Sequence, residues 1–99
     1  ERPLAETKGE GDVLTLRLPV ADEVDQLVLQ EDCRTGHRVR AYRVDADLAG
    51  GGWKELCRGT CVGHKRIETF APVVAKALRV TATEAKGVPF WRSMAAYSV

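Results

Sequence analysis

Alternating apolar and polar residues, interrupted by glycine and proline, most restrict the fold of this chain. Every second position is apolar in Leu14–Leu18, in Tyr42–Leu48 and in Leu78–Ala82. A period of two is typical of strands with one buried face. The triplet Gly50–Gly52, the prolines and the β-branched residues between them disfavour long helices. We therefore predict an all-β protein, an antiparallel β-sandwich of the jelly-roll type.

Seven strands are predicted from the positions of these breaks. They cover 13–18, 27–30, 39–48, 53–58, 64–70, 77–83 and 90–97, with room for one short helix at 22–26 or 73–76. Residues 1–12 are polar and contain Pro3, Gly9 and Gly11, which predicts an N-terminal arm or linker. The sandwich would then occupy 13–99, and a chain of 99 residues has room for one such domain.

Three loops should meet at one end of this sandwich if consecutive strands run in opposite directions. They are 31–38, 59–64 and 84–91, whereas 50–52 and 71–76 fall at the other end. Loops held on a rigid scaffold often carry binding residues. The candidate site residues in the first group are Glu31, Asp32, Arg34, His37, Arg38, His64, Lys65, Glu84 and Trp91.

Composition and charge exclude several classes of function. Fifteen basic and fourteen acidic residues give a net charge of +1, without the basic excess of a nucleic-acid-binding protein. No apolar run approaches the ~20 residues that a transmembrane helix requires. The cluster His64–Arg66 is more typical of a solvated loop than of a phosphate site. The sequence starts at Glu1 and shows no signal peptide, so we expect it to derive from a longer precursor.

The three cysteines, Cys33, Cys57 and Cys61, allow at most one internal disulfide. A Cys57–Cys61 disulfide and free thiols both remain open. With His37 and His64 the cysteines could ligate zinc, but their spacing is not that of the paired Cys-x2-Cys motifs of zinc ribbons. We favour thiols that act as small hydrophobic groups and predict no metal or cofactor.

The aromatic residues have different expected roles. Trp53 follows the glycine turn and is interpreted as core or edge packing rather than as a sugar platform. Phe90 is interpreted as a residue that closes the core. Trp91 has two open interpretations. It either closes the core as well or offers its indole face to a pyranose ring, whose hydroxyl groups would bind charged neighbours.

Two longer stretches resemble a known family. They are "VDQLVLQEDCRTGHRVRAYRVDA" and "RGTCVGHKRIETFAPVVAKALRVTATEA", with Trp53 between them. Together they resemble the C-terminal module of the α-L-fucosidases of glycoside hydrolase family 29, which is a discoidin-like (coagulation-factor C-type, galactose-binding-like) β-sandwich. The departures include His37, Tyr42 and His64, which replace the usual Gln, Phe and Tyr.

Other departures concern the two ends of the chain. The family module is longer on its N-terminal side, so the resemblance implies that the leading strands are either missing or replaced by residues 1–12, and a truncated sandwich would leave a sheet edge uncovered. Ser93 stands near the position where related modules carry a calcium-binding glutamate, and it cannot supply that ligand.

The resemblance implies a non-catalytic accessory module. It would bind fucosylated or galactosylated glycans weakly, pack on the catalytic barrel of a parent α-L-fucosidase, or do both. Lys65 and Arg66 match the family pattern and would contact either sugar or barrel. Glycoside hydrolysis needs a pair of carboxylates, which the family carries in the barrel. An open rim with Glu31, Asp32 and Glu84 gives little burial to raise the pKa of an acid.

The alternative function is that of a discoidin-like interaction module that binds a protein or a membrane surface. Extracellular, periplasmic, or vacuolar or lysosomal residence is implied by the resemblance.

Overall fold

A computed structural model describes residues 2–32, 36 and 38–98, and this part of the chain forms strands and no helix. The strands are β1 Ala5–Glu10, β2 Val13–Glu31, β3 Val39–Leu48, β4 Trp53–Gly59, β5 Arg66–Ala85 and β6 Phe90–Tyr97. All pairs are antiparallel, in the order β1-β6-β2-β5-β3-β4. The predicted all-β antiparallel class is confirmed. Within the described ranges, no helix is present that could cross a membrane.

Strands β2 and β5 bend, and the bend folds the sheet into a sandwich. With 19 and 20 residues they would be roughly 60 Å long if straight, yet the largest dimension of the molecule is 37 Å. Their pairing is irregular between Arg17 and Asp22 and again between Val24 and Gln26. On one side of this corner β2 pairs with β6, and on the other side β5 pairs with β3.

Two of the predicted strand ends do not occur, because β2 and β5 continue through this corner. Pro19 and Pro72 were expected to stop strands, but β2 merges the predicted strands 13–18 and 27–30, and β5 merges 64–70 and 77–83. Both prolines fall where the ladder skips residues, so their missing N–H groups cost no regular hydrogen bond. The predicted separate strands are therefore continuous, and neither short helix forms.

Residues 5–10 form a strand and not the expected polar arm. They form β1, which pairs with β6 from Ala5 opposite Ala96 to Glu10 opposite Phe90. Strand β1 is polar because it lies at the sheet edge, where most of its side chains meet water. Strand β1 also covers the edge of β6 that the missing leading strands were expected to leave open.

One apolar core lies between the two halves of the folded sheet. Leu27 and Leu29 of β2, Val44 of β3, and Leu78 and Val80 of β5 are fully buried in it. Leu78 and Val80 are two positions apart, as the alternation predicts.

The glycine turn after β3 lies at the same end of the sandwich as the bends of β2 and β5, and the predicted loops lie at the opposite end. At the bend end, the amide of Ala49 donates to the carbonyl of Val74 (3.0 Å). At the other end, the amides of Glu31 and Asp32 donate to the carbonyls of Gly63 (3.2 Å) and Phe90 (2.8 Å). The three loops that were expected to converge therefore do so, and we call this end the loop end.

Candidate functional site

A cleft of about 1190 Å³ opens at the loop end. The ends of β1 and β2, the loop before β5 and the start of β6 form its walls. Its lining consists of Lys8, Gly9, Glu10, Glu31, Asp32, His64, Phe90, Trp91 and Arg92. Four of the predicted site residues are thus brought together: Glu31, Asp32, His64 and Trp91.

The Glu31 side chain, at the end of β2, binds the backbone at the start of β3. Its Oε2 atom accepts hydrogen bonds from the backbone amides of Arg38 (2.6 Å) and Val39 (3.0 Å). The residue is only 1% exposed. A carboxylate bound in this way ties the end of β2 to the start of β3 at the wall of the cleft.

Arg38 joins two of the converging loops. Its guanidinium lies 5.3 Å from the centre of the Phe90 ring, within the range of a cation–π interaction. It also lies against Gly87, whose positive φ of 91° and lack of a side chain admit this approach. The geometry gives Arg38 a supporting role, and half-buried Phe90 packs beneath it.

Trp91 closes the core and offers no platform for a sugar. The residue is 2% exposed, and its Nε1 atom donates to the carbonyl of Gly11 (2.9 Å). Of the two interpretations of Trp91, the structure has the one in which the indole is buried. The expectation of an indole face that stacks on a pyranose ring is corrected.

Side chains that a ligand can reach in the cleft belong mostly to other residues. Lys8, Glu10, His64 and Arg92 are exposed there, and Asp32 is half-buried. Lys8, Glu10 and Arg92 were not among the predicted site residues. The first two fell in the supposed arm, and Arg92 was assigned to a strand whose neighbour β1 was not recognised. These side chains provide hydrogen-bond donors and acceptors on the same surface.

The remaining predicted site residues lie elsewhere. Lys65 and Glu84 are exposed but do not line the cleft, and Arg66 binds Glu68 through Nε (2.7 Å). Arg34 and His37 lie outside the described residues.

A polar cluster joins β3, β4 and β5. The Tyr42 hydroxyl and Arg66 Nε both donate to Oε1 of Glu68, each at 2.7 Å. Burial raises the pKa of Glu68, but hydrogen bonds from Arg66, Tyr42 and Cys57 outweigh it and hold that pKa below its usual range. Burial and the nearby Glu68 raise the pKa of Tyr42 far above its usual range. At neutral pH Glu68 is therefore ionised, and the neutral Tyr42 hydroxyl and the Arg66 cation both donate to it.

The described cysteines, Cys57 and Cys61, are both free thiols. Burial and the charge of Glu68 raise the pKa of the Cys57 thiol to about 12. Among residues 2–32, 36 and 38–98, no three His, Cys, Asp or Glu side chains are grouped so that they could hold a metal ion. Cys33 and His37 of the zinc hypothesis fall outside these ranges.

Trp53 lies on the outer surface of the sandwich. It opens the edge strand β4 and is 46% exposed, so the expected edge position is found and a core position is not.

Two proteins of solved structure are similar to this chain over almost its whole length. A protein from Bacteroides thetaiotaomicron that is described as an α-L-fucosidase is 41% identical, with a TM-score of 0.94 over 99% of this chain and 22% of that chain. A glycoside hydrolase family 29 member from an unknown rumen bacterium is 28% identical, with a TM-score of 0.77 over 98% of this chain and 18% of that one.

A smaller protein shares the fold alone. It is a family 32 carbohydrate-binding module from C. perfringens in complex with galactose. It is 20% identical, with a TM-score of 0.75 over 87% of this chain and 66% of that one. No protein-family model and no curated protein matches the sequence.

The folded sheet and its loop-end cleft define a discoidin-like, galactose-binding-like β-sandwich module. The chain is similar to a small part of proteins described as an α-L-fucosidase or as members of glycoside hydrolase family 29, in line with its sequence resemblance. The chain spans about a fifth of the length of the two larger proteins described above, 22% and 18% respectively.

Proposed function

We propose that this chain is a non-catalytic accessory module of an α-L-fucosidase-like glycoside hydrolase and that it binds carbohydrate weakly in the loop-end cleft. The observation that carries the proposal is the set of accessible polar side chains in that cleft: Lys8, Glu10, Asp32, His64 and Arg92. Hydroxyl groups both donate and accept hydrogen bonds, so a mixed set of donors and acceptors suits a sugar.

The expected ligands are fucosylated or galactosylated glycans. The parent enzyme would act on fucosides, and the carbohydrate-binding module that shares this fold holds galactose. We expect binding to be weak because the aromatic residues of the cleft are covered: Trp91 is buried, and Arg38 lies over the ring of Phe90.

A non-catalytic role is supported by the positions of the carboxylates. Glu31 is occupied with two backbone amides, and Glu84 does not line the cleft. Asp32 and Glu10 remain, and both line a cleft that is open to water. The hydrolytic carboxylates would therefore belong to the catalytic barrel of the parent protein.

The end opposite the cleft suits contact with that barrel. Val20 and Val74, on the bends of β2 and β5, are 70% and 49% exposed. Packing of this end on the barrel would remove apolar side chains from water and leave the cleft open. A module of this kind would work beside its enzyme in an extracellular or periplasmic space.

Chemical-shift perturbation of the isotope-labelled chain tests the cleft. D-Galactose, L-fucose and lactose are added to millimolar concentration, and the amide signals of residues 8–10, 32, 64 and 92 are expected to move. His64→Ala and Arg92→Ala should abolish the shifts. Arg17→Ala, which removes an exposed cation near the bend, should not. Unmoved cleft signals with all three sugars would refute binding there, and hydrolysis of a fucoside reporter by this chain would refute a non-catalytic role.

A further inference from the structure

Trp53 presents an indole ring on the outer surface of β5, β3 and β4, away from the cleft. The residue is 46% exposed, although tryptophan is usually well buried. The guanidinium carbon of Arg79 lies 4.0 Å from the centre of its ring. Because this guanidinium covers one face of the ring, we assign the accessible surface of Trp53 to the opposite face and the ring edge.

The position of Arg79 is itself fixed by a buried carboxylate. Arg79 Nη2 lies 3.7 Å from Oδ2 of Asp45, which is 6% exposed. The same oxygen accepts a hydrogen bond from Arg43 Nε (3.0 Å). Two cations thus stabilise one buried anion, and one of them holds the indole in place. An aromatic ring that is held before binding loses little conformational entropy when a ligand stacks on it.

We propose that Trp53 is a second carbohydrate contact, separate from the cleft, which stacks on the apolar face of a single pyranose ring. This inference rests on the carbohydrate-binding function proposed above. Asp47 lies opposite Trp53 in the β3–β4 register, and its Oδ1 atom lies 3.9 Å from Lys76 Nζ. Asp47 and Lys76 supply the acceptor and donors for the hydroxyl groups of that ring.

The surroundings of Trp53 favour a sugar over a protein surface. The centre of a protein–protein interface is depleted of charged residues. Trp53 is instead surrounded by charge, with Arg79 over one face of the ring and two ion pairs nearby, Glu55–Arg58 (2.8 Å) and Asp47–Lys76 (3.9 Å). A small polyhydroxylated ring satisfies such groups without burying them.

The two indole N–H signals test the proposal in the unmodified protein. The chain contains two tryptophans, of which Trp53 is exposed and Trp91 is buried. In titrations with D-galactose, L-fucose and lactose, we expect the Trp53 indole signal to move and to saturate with at least one sugar. Trp53→Ala should remove the corresponding shifts of residues 47, 54 and 76, and Arg92→Ala in the cleft should leave them unchanged.

Arg79→Met tests the positioning role of the guanidinium. This variant keeps Trp53 and much of the Arg79 stem but removes the charge, and we expect a several-fold weaker response at Trp53 with unchanged circular dichroism. An equal response would overturn the positioning role.

The outcomes separate this proposal from the proposed function. If the cleft signals shift and the Trp53 indole signal does not, the second contact is overturned and the cleft function stands. If the Trp53 signal shifts and the cleft signals do not, the second contact is supported and binding in the cleft is refuted. If no signal shifts at either site, both proposals are refuted.

Discussion

Gly59 faces Tyr42 across the β3–β4 pair, and the phenol ring occupies the space where a β-carbon on residue 59 would stand. This close approach lets the Tyr42 hydroxyl reach Glu68, two strands away from β4. A glycine within a strand often marks such an approach of another group to the backbone.

A methyl group at Gly59 should therefore be costly. We expect Gly59→Ala to lower the free energy of unfolding by about 1–3 kcal/mol, as overpacked cores do, because it displaces the Tyr42 ring. Gly50→Ala is the matched control, since a β-carbon there meets no atom within 4 Å. Urea unfolding of both variants measures the difference. Equal stability would show that the Tyr42 ring moves aside without cost.

Glu68 should make the protein sensitive to acid. Its folded-state pKa lies below the usual range, so its stabilising effect is present above the unfolded-state pKa and is lost as the pH falls through the folded-state value. Glu68→Gln should reduce the loss of unfolding free energy between about pH 7 and about pH 3. In the control, Glu55→Gln removes one partner of an exposed ion pair and should change the profile little. An unchanged profile for Glu68→Gln would contradict the role of the cluster.

The two described thiols should differ in reactivity. The thiolate is the nucleophilic form, and the pKa of about 12 at Cys57 leaves little of it near neutral pH. Cys61 is exposed. In a Cys33→Ser background, we expect a maleimide to label Cys61 in the folded protein and Cys57 only after unfolding, as peptide mass mapping can show. Rapid labelling of folded Cys57 would contradict its burial beside Glu68.

Glu31 should stabilise the loop end without binding ligand. Glu31→Ala removes a carboxylate that accepts two backbone hydrogen bonds, and we expect a loss of about 1–3 kcal/mol in unfolding free energy. Hydrogen exchange at the amides of Arg38 and Val39 should become faster. Glu84→Ala, at an exposed position, is the control. Unchanged exchange at both amides would show that water replaces the carboxylate at no cost.

Sequence reasoning succeeded where neighbouring residues decide the outcome. Period-two alternation correctly indicated the buried face at Leu78 and Val80, because strand geometry imposes it. Sequence reasoning missed β1, because this edge strand consists mainly of exposed polar residues and has no apolar alternation. It also read Pro19 and Pro72 as strand ends, because a bulged corner has no local signature that distinguishes it from a turn.

The tryptophans show why the candidate site was predicted only in part. Trp91 is buried by contact with Gly11, 80 residues away in the chain, and Trp53 is held by Arg79 from another strand. Neither contact is visible in the residues that flank each tryptophan. Lys8, Glu10 and Arg92 enter the cleft for a similar reason, because β1 pairs with the last strand of the chain.

The amino-acid sequence by itself determined the all-β class, the family resemblance and the end of the sandwich at which the loops gather. These depend on local alternation, on turn residues and on motif order. Tertiary structure alone decided which aromatic ring is buried, which carboxylate supports a loop and which charged groups a ligand can reach. The physical reason is that burial and hydrogen bonding depend on the partners that distant strands bring together, whereas strand formation depends mainly on neighbours in the chain.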